Sequence, residues 1–494
     1  MDRLITRSSG IALLFIIGLA TVLRLYHLDF NPLWIDEAAT LQFSTGSFAE
    51  IWQYTAAGEF NPPGFHWIVN LVITAFGVSE FSLRLVPMVA GILTVPVAYC
   101  AATVMADDRR VGLIVAFLIA CSPFHLYYSQ EARAYTAMLL LYTIGLTCYL
   151  LWVKTTRPAA MPATRYLLYL AMGAFGIAVW MHFYAVVAVL PILFHMLFQH
   201  IVFGYLEYGD SRGFDRGFFL ASGIFAICVV PFLTIGPALF GRRTGMGVVW
   251  GADPLMMVTD IFVEMAGFHI LFALLFILLA VVGMRRYLDP SFAAFVPLTI
   301  IVPLIISAIL APHMDLSVRY LIFLIPVFYT LVGTGIVDVI DRLHGSPLPL
   351  LCIVGFFIVL INAPTLANYY TNYTKIDYRG AATYLTDATN DGDTVVLIPQ
   401  SRESVFTFYY KNVTDNTRYL PLQFGTEVER LNEIVQMPGT IWLVRADVRE
   451  CLDPDAPINR WLADRGITAQ QTYKWISIYQ VQGGMSTTTD FNRW

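Results

Sequence analysis

Charge is what this sequence has least of. Of 494 residues only 13% are Asp, Glu, Lys or Arg, against 57% hydrophobic, and the mean hydropathy is +0.64. Soluble domains carry about 25% charged residues. No water-facing fold with one core hides this much apolar surface, so the chain reads as a polytopic α-helical membrane protein. Cysteine is scarce as well. Cys100, Cys121, Cys148, Cys228 and Cys352 lie in apolar runs and only Cys451 in a polar stretch, which speaks against both a disulfide framework and a cysteine zinc site. There is no internal repeat and no low-complexity tract. The first apolar run is long and has no small-residue cleavage site behind it, so it reads as a retained span and not as a cleaved signal. The formal net charge of -5 says little about partners, and nucleic acid is not expected among them.

What the sequence does have is apolar runs long enough for a bilayer, which takes roughly 17 to 25 residues per helix. They fall near 10–28, 82–105, 111–125, 134–153, 166–182, 184–201, 218–238, 267–284, 291–311, 319–338 and 348–364, about 11 transmembrane helices. Lys and Arg in the loops set the orientation. With the N-terminus cytoplasmic, Arg3, Arg7, "DDRR" at 107–110, Lys154, Arg157, Arg165, Arg212, Arg216, Arg285, Arg286 and Arg342 all fall inside. Arg133, Arg242, Arg243 and Arg319 then fall outside. The run "GFHWIVNLVITAFG" at 64–77 is too short to cross and fits an interfacial or re-entrant helix. The first outer loop therefore runs from about 29 to 81, within a membrane domain of residues 1–364. Beyond it, 365–494 turns polar, with "DYRGAATYLTDAT" reading as a helix and "DTVVLIP" and "GTIWLVRA" as strands, a small extracytoplasmic α/β domain. Two glycan sequons, at Asn372 and Asn412, fit that address.

Three stretches on the expected outer face carry ionisable groups. "NPLWIDEAATLQF" holds Asp36 and Glu37 just where the first span ends, Glu59 stands before "NPPG" with Asn61 opening it, and "SPFHLYYSQEARAY" holds Glu131 and Arg133. Asp36 and Glu37 also fit a solvated pair at a helix start. Beside Leu33 and Trp34 at a membrane surface a functional role outweighs that. Glu131 and Arg133 also read as an interfacial charge pair, and "NPPG" as a rigid bend. Arg319 with Tyr320, in "DLSVRYLIF", sits where a guanidinium grips a lipid phosphate through two hydrogen bonds, or else snorkels to the interface. Arg242, Arg243 and His182 are further substrate-binding candidates. No pair of residues shows metal-ligand spacing.

"LWIDEA", "NPPGFHW", "FSLRLVPMVAGILTVPVAY", "SPFHLYYSQEARAY", "WMHFYAVV" and "VRYLIFLIPVFYTLVG" together resemble the GT-C class membrane glycosyltransferases, in particular the dolichyl-phosphate-mannose protein mannosyltransferase superfamily and its relative, the lipid A aminoarabinose transferase. The resemblance implies transfer of a sugar, most commonly mannose, from a polyprenyl-phosphate donor to an acceptor hydroxyl on the outer face. It makes Asp36 the catalytic base and Glu131 a second site carboxylate. The aminoarabinose transferase has Glu-Lys before its two prolines where this chain has Phe60 and Asn61, a departure that weighs against carrying over a metal ligand set. No cofactor is called for, and a divalent cation stays an open alternative. The expected partners are the lipid-linked donor, membrane lipid, and a protein, lipid or glycan acceptor. A transporter would instead show two similar halves with acids at mid-membrane depth; a lipid flippase or an adhesive scaffold is the remaining alternative.

Overall fold

The structure, a computed structural model, describes residues 7–155, 164–201, 216–245, 253–287, 294–343, 347–411, 417–423, 425–446 and 456–484. Arg3, Arg157, Arg212, Asn412 and Cys451, named above, lie outside them. The chain divides into two compact units, Met1–Leu28 with Phe43–Asn368, and Asp29–Gln42 with Tyr369–Trp494. The stretch at 29–81 is thus shared: its first part groups with the tail and the rest with the helical unit.

The larger unit is helical. Arg7–Leu25, Glu80–Ala106, Tyr135–Thr155, Ile270–Tyr287, Val318–Arg342 and Leu348–Thr371 are each long and apolar enough to cross a membrane. Arg109–Cys121 and Pro123–Ser129, bent by 60°, count as a seventh if taken together. The protein is an integral membrane protein. Four of the expected spans fall on shorter apolar helices, Arg165–Met181, Ala185–Gln199, Arg216–Val229 and Phe295–Leu310. Gly64–Phe76, at 13 residues, is about 20 Å long against a hydrocarbon core of about 30 Å.

The bend after Cys121 shows how a broken helix survives in an apolar unit. Pro123 opens the second segment and has no N–H to donate, so the carbonyls ending the first segment need other donors. Arg24, fully buried, supplies them: it donates to the carbonyls of Ile119 at 2.9 Å and Ala120 at 3.1 Å, and its Nη2 meets His125 Nδ1 at 2.7 Å. Gln130, just past the bend, donates in return to the carbonyls of Arg24 and Tyr26, both at 2.9 Å, at the end of the first helix. Hydrocarbon offers backbone groups no partner, so this reciprocal capping fixes the segment that leads into Glu131 and Arg133. Elsewhere small residues let helices touch. A Cβ on Gly335 would strike the Leu279 carbonyl, and one on Gly283 the Leu331 carbonyl, so Ile270–Met284 and Ile325–Arg342 approach backbone to backbone.

The smaller unit holds a five-stranded sheet in the order β2-β1-β3-β5-β4. β1 (Thr394–Ile398) pairs in parallel with both β2 (Arg418–Pro421) and β3 (Thr440–Ala446), while β5 (Ile476–Gln482) runs antiparallel to β3 and β4 (Gln471–Tyr473). On one face Val396, Ile398, Ile441 and Leu443 pack against Leu431 and Ile434 of one helix and Ile458 and Trp461 of another. All five residues of β1 are buried, as expected of a strand covered on both faces.

Candidate active site

In the smaller unit, Asp36 and Glu37 occupy the first turn of helix Ile35–Phe43, where the N-terminal dipole favours anions. The two acids have different surroundings. Glu37 is wholly buried and accepts from Lys375 Nζ at 2.8 Å, while Asp36 is only half-buried. The segment before the helix is tied to the tail at every step. Arg379 donates to the carbonyls of Asp29 and Phe30, Asn31 Oδ1 accepts from the Thr374 N–H at 2.7 Å, and the Leu33 N–H donates to Tyr409 Oη at 2.7 Å. The helix that presents Asp36 is therefore anchored by residues more than 330 positions away. Lys375 is the part that sequence reasoning missed; a lone Lys in "NYTKIDYRG" gives no hint of its partner.

In the helical unit the remaining candidates gather in two groups. Glu59 and Asn61 are buried, and Asn61 Nδ2 donates to Glu59 Oε1 at 3.2 Å. Burial pushes the Glu59 carboxyl up, but the charges of Arg133 and His66 and the Phe60 N–H together hold it below its ordinary value, so it is a carboxylate. Arg242 donates to the carbonyls of Thr55 and Ala56, at the orphan end of helix Phe48–Ala57, and of Glu59 just beyond it. Arg243 donates to the Phe60 carbonyl and to Tyr320 Oη, with its guanidinium 3.6 Å from the Phe183 ring centroid. Both arginines hold the loop that carries Glu59 and Asn61.

The second group surrounds Arg319. Its guanidinium lies 5.5 Å from the Tyr135 ring centroid and 5.9 Å from that of Tyr320. His182 packs against the same rings, 5.3 Å from Tyr135 and 5.0 Å from Tyr320. Its Nδ1 accepts the Tyr184 N–H at 3.2 Å, so a neutral ring carries its proton on Nε2, which is buried and has no hydrogen-bond partner among the described residues. Glu131 is fully buried, two residues before Arg133 in a tight turn closed by the Arg133 N–H on the Glu131 carbonyl at 2.6 Å. Among the described residues no three His, Cys, Asp or Glu side chains gather as a metal would require.

Glu264 belongs to this group and was not singled out from the sequence. Burial, then the neighbouring Asp260, push its carboxyl up from 4.5 to about 7, with Arg319 opposing. The signal was there: "DIFVEMAGFH" places two acids four residues apart at the mouth of an apolar run, the pattern that drew attention to Asp36. Because the folded protein holds this proton more tightly than the unfolded chain, the stabilising contribution is complete below about 4.5 and lost above about 7. The melting temperature in detergent is expected to fall as pH rises across that window, and Glu264→Gln to flatten the slope. An unchanged slope in the variant would assign the pH dependence to another group.

The family model described as dolichyl-phosphate-mannose-protein mannosyltransferase matches residues 61–235. That stretch includes Asn61, Glu131, Arg133 and His182. No curated protein matches the chain. Among solved structures, apo ArnT from Cupriavidus metallidurans superposes with a TM-score of 0.60 at 14% identity, covering 96% of this chain and 98% of its own. The same protein bound to undecaprenyl phosphate gives 0.57 at 13%, covering 94% and 97%. The archaeal oligosaccharyltransferase AglB from Archaeoglobus fulgidus, in complex with an inhibitory peptide and a dolichol-phosphate, gives 0.59 at 12%, covering 89% of this chain and 69% of its own. At such identities the likeness is one of fold. In sequence over 61–235, and in fold along nearly the whole chain, this protein is similar to the GT-C class membrane glycosyltransferases of the protein mannosyltransferase and ArnT superfamily.

Proposed function

We propose that the protein is an inverting glycosyltransferase that moves a sugar, mannose-like, from a polyprenyl-phosphate donor to an acceptor hydroxyl. Its membrane domain crosses about 11 times with the N-terminus cytoplasmic, and the reaction takes place on the extracytoplasmic face. The observation that carries the reading is the buried polar group around Arg319 in the helical unit, with the His182 Nε2–H turned toward no protein acceptor among the described residues. Cations and a neutral donor in an apolar wall suit a lipid phosphate. The undecaprenyl phosphate bound to ArnT and the dolichol-phosphate bound to AglB support the same donor class.

In this mechanism Asp36 accepts the proton of the attacking hydroxyl as that oxygen bonds to the anomeric carbon. The bond from the anomeric carbon to the phosphate oxygen breaks, and its electron pair leaves with the phosphate. Phosphate needs no carboxylic acid to protonate it; it needs its growing charge matched. Arg319 and Arg133 supply cations and His182 a hydrogen bond. Glu131 and Glu59 orient those cations and contact sugar hydroxyls, with Asn61 and Tyr320 beside them. Glu37, Arg242 and Arg243 position the segments that carry the reacting groups. The test is release of free polyprenyl phosphate from a labelled donor by purified protein in detergent. Arg319→Ala is expected to lower donor affinity by roughly 10- to 100-fold, the loss of one charge-assisted contact. No release by the wild type in the presence of a mixed pool of acceptors would end the reading.

A further inference from the structure

The smaller unit contains an open cavity whose lining does not include Asp36. It measures about 450 Å³ and is lined by Gln400, Ser401, Glu403 and Ser404 from the segment that leaves β1, and by Ala38, Leu41 and Gln42 of helix Ile35–Phe43. Its position follows from the sheet. The chain leaves β1 for β2 on one side, then passes back to β3 on the other. The helix after β1, Glu403–Tyr409, stacks Phe406 on Tyr419, which pairs in register with Val395. The helix between β2 and β3, Glu427–Ile434, packs instead on Val396 and Ile398, whose side chains point to the opposite face from Val395. Successive crossover helices on opposite faces, with β2 and β3 on either side of β1, mark a topological switch point, and the crevice outside the carboxyl ends of such strands is where open α/β sheets bind ligands. The cavity opens at the carboxyl end of β1.

Its lining defines the ligand. The Gln42 and Gln400 amides and the Ser401 and Ser404 hydroxyls both donate and accept, the Glu403 carboxylate accepts, and Ala38 and Leu41 offer an apolar floor. Among the described residues neither Lys nor Arg lines it, so an anion would meet Glu403 with no cation in the lining. A ring with a hydroxylated rim and a C–H face fits this surface; a phosphate does not. Tyr419 adds a further polar group close by. Its hydroxyl is buried without a hydrogen-bond partner among the described residues, and it lies near enough to Glu403 to feel that charge.

We propose that this cavity is a subsite for a neutral saccharide portion of the acceptor, an inference that rests on the glycosyltransferase reading. At about 100° per residue, Ala38, Leu41 and Gln42 stand about 140 to 240° around the helix from Asp36. The cavity therefore grips a part of the acceptor remote from the attacking hydroxyl, and its binding energy serves to hold that hydroxyl in place. The acceptor class is then a glycan or glycolipid and not a bare peptide.

The test uses the full chain in detergent and reads two quantities separately. Saturation-transfer NMR against a panel of neutral di- and tetrasaccharides, a hexose phosphate and a Ser/Thr peptide measures acceptor binding. Release of polyprenyl phosphate from donor measures the chemistry. A neutral saccharide is expected to bind, with affinity lowered at least tenfold by Ser401→Trp, which obstructs the cavity, and by Gln42→Leu, which removes an amide at similar size. The melting temperature reports whether each variant is folded, and either one suffices. Release without saccharide binding, binding unaffected by the folded variants, or preference for the peptide or the hexose phosphate would overturn the subsite. Saccharide binding without release would overturn the glycosyltransferase reading while leaving a saccharide-binding cavity.

Discussion

An Asp36→Asn protein is expected to bind the lipid-linked donor as the wild type does and to transfer its sugar roughly 10² to 10⁴ times more slowly. Asparagine keeps the size of the side chain and its place in the first turn of helix Ile35–Phe43, but lacks the electron pair that takes the acceptor's proton. Donor contacts assigned to Arg319, Arg133 and His182 lie on other segments and are unchanged. Single-turnover transfer and donor affinity, measured on the same preparation, separate the two effects. Asp36→Glu, which restores a base at a displaced position, should recover part of the rate. Transfer near the wild-type rate by Asp36→Asn would remove the base from this mechanism.

How much of this was legible depended on whether the cause was local. The helical membrane class followed from composition, and the approximate places of the apolar helices from run length; the caps Ser47 and Ser79, each accepting from a backbone N–H three residues on, were not singled out. Acids at the ends of apolar runs were equally visible because charge there has a cost that any sequence displays. What was invisible was the partner. Arg242 and Arg243 stand in the sequence as substrate-binding candidates, and only the fold reveals that their donors meet the carbonyls of Thr55, Ala56, Glu59 and Phe60. The bend after Cys121 could be suspected from Pro123, but not that Arg24, about a hundred residues earlier, would cap it. The same holds for the division of the first outer loop, whose leading part is bound to the tail by contacts spanning 338 to 376 residues.

Those contacts give the second large effect. From the sequence, Glu37→Gln looks like a quiet companion to Asp36→Asn, since the two acids are neighbours. In the structure Glu37 and Lys375 form an ion pair with side chains 0% and 5% exposed, and removing one member leaves the other charge buried without compensation, at about 3 to 5 kcal/mol. Lys375→Met is therefore expected to lower the melting temperature, to make the segment at 29–42 exchange amide protons faster, and to reduce transfer through loss of Asp36 placement while donor affinity holds. The double replacement Glu37→Leu with Lys375→Met removes both charges and fills the same volume, so most of the lost stability should return. Recovery of transfer in the double variant would identify the pair as positioning Asp36 and not as contacting substrate. A double variant that melts like the wild type yet transfers no faster than Lys375→Met would instead place Glu37 or Lys375 on the substrate itself.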